Sequence, residues 1–289
     1  MTTAFTILFN RTKLGGIYME GKMEFNTIKY ESPEDGLGLI TLNRPDRLNA
    51  INLEMLEELH LLFEQLNTDE NVRIILITGA GRGFCSGADL LDDRIAKEAA
   101  TLFSSAATHL VKIQRVYSRL IIEMRRLPQP IIAAVNGPAA GGGMCIALAS
   151  DIIIANPNAA FTPSFINIGL SGGELGSSYF LPKLVGNARA ADILLTGRTV
   201  DAAEADKIGL ISRLVDEEKL MEVALEIAAD MLDKTPMGLR FTKEVLNQNQ
   251  NAPSLESAIE LENRNQSILC ITPEFFKAVE KFGKRKKRR

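Results

Sequence analysis

Apolar and polar positions alternate or cluster in two different ways along this chain, and the change comes near residue 187. Before it, short apolar runs end in turn residues. Gly36–Asn43 (GLGLITLN) alternates and stops at Arg44-Pro45, which predicts a strand. Val72–Thr78 (VRIILIT), Ile131–Val135 (IIAAV) and Asp151–Ala155 (DIIIA) are nearly continuous apolar runs, as expected of buried strands, and Phe161 begins a shorter one. Between the first two lies a helix capped by Asn52, with Leu53, Leu56, Leu59, Phe63 and Leu66 at helical spacing. The segment from about 92 to 126 also reads as helical, and Gly141-Gly142-Gly143 opens an apolar helix running to about Ser150.

Beyond 187 the pattern is helical only. Asp201 with Glu204 forms an Asp-x-x-Glu capping pair. Asp216 is expected to cap the next helix, and further helices are predicted near 236–247, 254–268 and 273–282. The predicted organisation is a flexible extension over 1–22, an α/β core over 23–200, a helical C-terminal region over 201–283 and a basic tail over 284–289. Leu239, Val245, Leu255, Ile259 and Leu261 give the late helices apolar positions that need a surface to cover, and a neighbouring copy would supply one.

The chain has 289 residues, long enough to bury a sizeable core, with 46% hydrophobic and 24% charged residues. That composition excludes disordered and collagen-like classes. Cys85, Cys145 and Cys270 form no CxxC pair, and the only histidines are His60 and His109, so neither a disulfide framework nor a metal site is expected. The setting implied is reducing and cytoplasmic. Net charge is -3, yet Lys284–Arg289 carries six positive charges in a row, so the body is acidic and the tail basic. A like-charge block of this kind is expected to stay solvated and unfolded; nucleic acid or an anionic membrane is the alternative reading. The uncharged stretches 127–150 and 152–173 are interrupted by Pro128, Pro130, Gly137, Pro138 and Pro163, which predicts strands and turns, not membrane spans.

Two glycine-rich loops follow apolar strands, Gly83–Leu90 and Gly137–Gly143, the second running into a helix. Gly79-Ala80-Gly81-Arg82-Gly83 lacks the third glycine of a dinucleotide fingerprint, because that position is Phe84. Gly83-Phe84-Cys85-Ser86-Gly87 is not a nucleophile elbow, because Ser86 directly precedes the glycine. Two readings remain for the loops. Their backbone N–H groups could jointly hold a developing oxyanion, aided by the helix dipole, or the glycines could simply permit tight packing on the sheet.

Taken together, Leu42-Asn43-Arg44-Pro45, Arg47-Leu48-Asn49-Ala50, Gly83–Leu90, Ala134-Val135-Asn136-Gly137 with Gly141-Gly142-Gly143, and Leu195-Thr196-Gly197-Arg198 resemble the enoyl-CoA hydratase/isomerase (crotonase) family over about 25–282. The resemblance implies a spiral of ββα units with a C-terminal helical region, a homotrimer or dimer of trimers, and an acyl-CoA substrate with no separate cofactor or metal. It places the oxyanion hole at the N–H groups of Ala88 and Gly142. It places CoA and substrate contacts at Arg47, Leu48, Asn49, Ala50, Ser86, Ala88, Asp89, Leu90, Gly141 and Phe165, and a contact to a neighbouring subunit's nucleotide at Lys281.

The sequence departs from the hydratase pattern at two positions. The resemblance puts the two hydratase glutamates where this chain has Cys145 and Phe165. Hydration needs a held and deprotonated water, work normally shared by two carboxylates. Glu174, in Gly172-Gly173-Glu174-Leu175-Gly176, falls where the dienoyl-CoA isomerases, the ring-epoxide phenylacetyl-CoA isomerases and the chlorobenzoyl-CoA dehalogenases carry an acid. The dehalogenase pattern also wants a tryptophan, and the chain has none. The leading expectation is therefore an acyl-CoA isomerase using Glu174 as its acid/base. A hydratase in fatty-acid metabolism and a non-catalytic CoA- or RNA-binding relative are the alternatives.

Overall fold

A computed structural model describes residues 24–92, 94 and 113–286, with the side chains of 281–286 excluded. The expected extension over 1–22, most of the predicted 92–126 helix, His109 and the tip of the basic tail lie outside the described residues.

The main sheet has six strands: β1 (Ile28–Glu34), β2 (Leu37–Leu42), β3 (Ile74–Gly79), β4 (Ile131–Val135), β6 (Ile152–Ala155) and β9 (Arg213–Leu214), in spatial order β1-β2-β3-β4-β6-β9. β1 and β2 form an antiparallel pair, and every later pairing is parallel. A second sheet joins β5 (Pro138–Ala140), β7 (Ala160–Thr162) and β8 (Val200–Asp201). All residues of β3 and β4 are buried, which is why their sequences are continuous apolar runs and not alternating ones.

Helices cover both faces of the main sheet. One face packs on α1 (Leu53–Leu66), α2 (Arg115–Arg126) and α3 (Gly142–Ala149), through Ile40, Leu42, Ile75 and Ile77. The other packs on α8 (Leu220–Leu232), where Leu220, Ala224, Ile227 and Ala228 meet Leu37, Ile74, Leu76 and Ile132. The remaining helices among the described residues are α4 (Ser164–Asn167), α5 (Ser177–Val185), α6 (Asn187–Thr196), α7 (Ala202–Ile208), α9 (Pro236–Asn249), α10 (Leu255–Leu269) and α11 (Pro273–Lys286).

Asn52 caps α1 as expected, its side chain accepting from Met55 N–H at 2.9 Å. Asp201 likewise accepts from Glu204 N–H at 2.8 Å, but the Glu204 carboxylate turns to Arg198 and leaves the capping box half made. Asp216 caps nothing with its side chain; a short 3₁₀ turn, Glu217–Lys219, separates it from α8. α11 continues to Lys286, into the basic run expected to be unfolded. Lysine and arginine are good helix formers, and cations are favoured at a helix C-terminus.

The late helices are joined to the core by a buried cation. Lys243 on α9 is buried and pairs with Asp151 at 2.9 Å while donating to the carbonyls of Gln129 (2.8 Å) and Met124 (3.3 Å). Burial holds the Lys243 ammonium below its ordinary pKa, and the Asp151 charge opposes that shift. Asp151 also accepts from Arg125 at 3.0 Å and from Ile131 N–H at 2.8 Å, so one carboxylate ties α9, α2 and β4 together.

Candidate active site

Three loop segments lie side by side and build the site. Segment 48–51 runs parallel to 86–89: Leu48 O accepts from Ser86 N–H (2.9 Å), Gly87 O from Ile51 N–H (2.7 Å) and Ile51 O from Asp89 N–H (2.9 Å). Segment 85 pairs in turn with 139–140, where Cys85 O accepts from Ala140 N–H at 2.9 Å. Backbone groups alternate sides along such a ladder. Gly87 and Asp89 face Ile51, so the Ala88 N–H points the other way, toward the 140–142 loop. It has no acceptor among the described residues. The Gly142 N–H, in the first turn of α3, also has none, as the first amides of a helix do not.

Glycine is required where these loops meet. Gly87 has φ +91°, and a Cβ there would stand 2.8 Å from Ala140 O and 3.1 Å from Gly142 N. A Cβ on Gly143 would stand 2.0 Å from Cys85 O. Tight packing and two free amides therefore occur together, and the first creates the second. The segment carrying the Ala88 amide thus adjoins the segment carrying the Gly142 amide, with Gly87 against Ala140 and Gly142.

The 47–50 motif sets the shape of this corner. Leu48 and Asn49 both adopt left-handed conformations, φ +48° and +55°. The buried Asn49 side chain accepts from Arg44 N–H and donates to the carbonyls of Ala80, Gly83 and Phe84. Its amide is fully engaged in holding the loops, and its backbone N–H donates to Arg44 O at 2.9 Å. Asp89 is buried as well and pairs with Arg44 at 2.8 Å. Arg44 donates to Ala50 O too, so it clamps both loops, a role the sequence reading did not assign. Arg47 and Leu90 are exposed, Leu48 and Ser86 half-buried, and Ala50 and Gly141 buried. Lys281 belongs to α11, and its side chain is not among those described.

The two positions that depart from the hydratase pattern are apolar in their surroundings. Cys145 is buried, and its thiol is pushed far up in pKa by burial and then by the charge of Glu174. Cys85 is pushed up to about 12 by burial. Neither is an activated thiolate. The half-buried Phe165 lies against the start of α3, its ring 3.6 Å from where a Gly141 Cβ would be.

Glu174 is half-buried and sits behind the same helix start. Its carbonyl accepts from Cys145 Sγ at 3.5 Å, its N–H donates to Ser177 Oγ at 3.0 Å, and Gln114 Nε2 lies 3.5 Å from its Oε2. The next residue, Leu175, places Cδ1 3.6 Å from the Gly142 Cβ position. The Glu174 backbone thus lies against α3, and its carboxylate lies beside Gln114. Gln114 beside it is a neighbour no motif announced.

A family model described as enoyl-CoA hydratase/isomerase matches residues 32–289. The chain belongs to the enoyl-CoA hydratase/isomerase family. A curated relative from Mycobacterium bovis, named "Probable enoyl-CoA hydratase echA12", is 41% identical over 250 residues, covering 86% of this chain and 87% of its own. The 1,2-epoxyphenylacetyl-CoA isomerase of Escherichia coli is 35% identical over 250 residues, covering 86% and 92%. A solved structure titled as a probable enoyl-CoA hydratase/isomerase from Mycobacterium abscessus superposes with a TM-score of 0.81 at 36% identity, covering 91% of this chain and 96% of that one. The fold is accordingly the crotonase-like α/β spiral with its helical C-terminal region, and the protein is an acyl-CoA-processing enzyme of hydratase/isomerase type. Among the described residues no helix is long and apolar enough to cross a membrane, and no group of His, Cys, Asp and Glu could hold a metal ion.

Proposed function

We propose that this enzyme is an acyl-CoA isomerase that moves a double bond with one carboxylate, Glu174. The thioester oxygen sits between the N–H groups of Ala88 and Gly142. Glu174 removes a proton from the carbon next to the thioester, the electron pair delocalises onto that oxygen as an enolate, and the protonated carboxyl returns the proton further along the chain. Proton and electrons balance without a second reactant, so neither a metal nor a nicotinamide enters. The observation that carries this reading is the pairing of Cys145 and Phe165 with Glu174: the two hydratase positions offer no carboxylate to hold water, while one acid remains at the corner.

The CoA arm is assigned to the 47–50 and 86–90 segments, with the exposed Arg47 placed to meet phosphate. Assembly as a trimer or dimer of trimers, with Lys281 on a neighbour's nucleotide, completes the reading; its support is the exposed apolar residues Leu255 on α10, Ile271 between α10 and α11, and Phe276 on α11. A hydratase is the second reading, favoured by the name of the mycobacterial relative.

The test is Glu174→Gln. Isomerisation of a 3-enoyl-CoA should fall by ~10²–10⁴-fold, the usual loss on removing a general acid–base, with acyl-CoA affinity within severalfold of wild type. Rapid hydration of crotonyl-CoA that survives the substitution would refute the assignment.

A further inference from the structure

An open cavity of about 440 Å³ lies outside the reaction corner, between α2, α5 and the end of α9; Ile121, Ile122, Leu175, Tyr179 and Phe180 give it a mostly apolar wall, and Arg125 and Arg126 also line it. That volume is in the range of ligand pockets. Leu175 is the residue shared by both spaces: it lines this cavity on one side and approaches Gly142 on the other.

Its conformation is unusual for its type. Leu175 has φ +48°, a left-handed geometry that is sparsely populated for a branched side chain and costs energy. Gly176 follows at φ +84°, and a Cβ there would collide with the Phe180 ring at 2.7 Å. Ser177 fixes the same turn by donating to Gly172 O and accepting from Glu174 N–H. The loop thus holds Leu175 as a wedge between the oxyanion hole and the cavity, directly beside the proposed acid.

We propose that Leu175 is the wall that limits acyl-chain length, and that the cavity behind it is the space a longer chain enters once the wall is removed. This rests on the acyl-CoA reading above. The occupant is the distal hydrocarbon of the substrate, because most of the cavity wall is apolar and Leu175 is the side chain that lies both in that wall and against Gly142.

The experiment is calorimetric binding of saturated butyryl-, octanoyl- and dodecanoyl-CoA, which cannot react. Leu175→Gly removes the wedge and relieves the left-handed strain, so the fold is retained. Ile122→Lys replaces part of the apolar wall with a further charge at a half-exposed position. Wild type should gain little affinity from octanoyl to dodecanoyl. Leu175→Gly should gain at least tenfold, since each newly buried methylene is worth about fourfold. The double variant should lose that gain while butyryl-CoA affinity stays unchanged. A length profile of Leu175→Gly that superposes on wild type, or a gain that Ile122→Lys does not remove, would overturn the wall. No binding of any acyl-CoA by wild type would overturn the acyl-CoA reading and the wall with it, a result distinguishable from tight binding with an unaltered profile.

Discussion

The α/β core and the three last helices solve the burial problem in opposite ways. In the core the buried side chains are overwhelmingly aliphatic, and the strands β3 and β4 have no exposed residue. In α9 and α10 the fully buried side chains are polar, Lys243 and Asn265, while Leu246, Leu255, Ile259 and Ile268 are exposed, as is Ile271 just beyond α10. Leu239 is an exception that packs on the second core cluster beside α8. The core is therefore held by hydrocarbon and fixed close packing, whereas the late helices are anchored by charge and leave apolar area exposed. Large exposed apolar patches of this kind mark interaction surfaces.

The sharpest way to break the comparison is Gly143→Ala. A methyl 2.0 Å from Cys85 O forces two backbones apart, so a loss of more than about 3 kcal/mol is expected, read as a collapse of the urea midpoint or of soluble yield. Next comes Lys243→Ala, which removes one partner of a buried pair and strips two carbonyls of their donor. About 3 kcal/mol is expected, with α9–α11 becoming protease-sensitive before the core does. The smallest effect on chain stability is expected for Leu255→Lys combined with Ile271→Lys. Both side chains are more than two-thirds exposed, at 71% and 79%, so monomer stability should change by no more than about 0.5 kcal/mol. Sedimentation should nevertheless show a smaller particle, and an unchanged mass would remove these helices from the assembly.

Strands buried on both faces were legible because burial leaves a continuous apolar run; Ile131–Val135 is found at its expected bounds. β1 escaped notice because only Ile28 in it is fully buried and Ser32-Pro33 reads as a turn. The two-residue strands β8 and β9 are too short for any periodicity to register. At the site, the free amides followed from loops after strands, but the parity that aims Ala88 depends on the register with Ile51, which no local pattern encodes. Leu175 was hidden for a different reason. Left-handed residues are usually announced by glycine or asparagine, and a leucine there gives no signal. Asn49 read as a ligand contact, whereas its amide joins loops that are distant in sequence.

The single bridge between Ile51 and Ala88 also governs which loops can change length. Within the paired stretch from Ser86 to Ala88, one added residue would reverse the side to which the Ala88 amide points. The exposed stretch from Asn167 to Ser171 carries no such parity. Lengthening of this fold, by evolution or by engineering, is therefore expected to be tolerated near 167–171 and closed to odd insertions between Ser86 and Ala88, however permissive Gly87 looks.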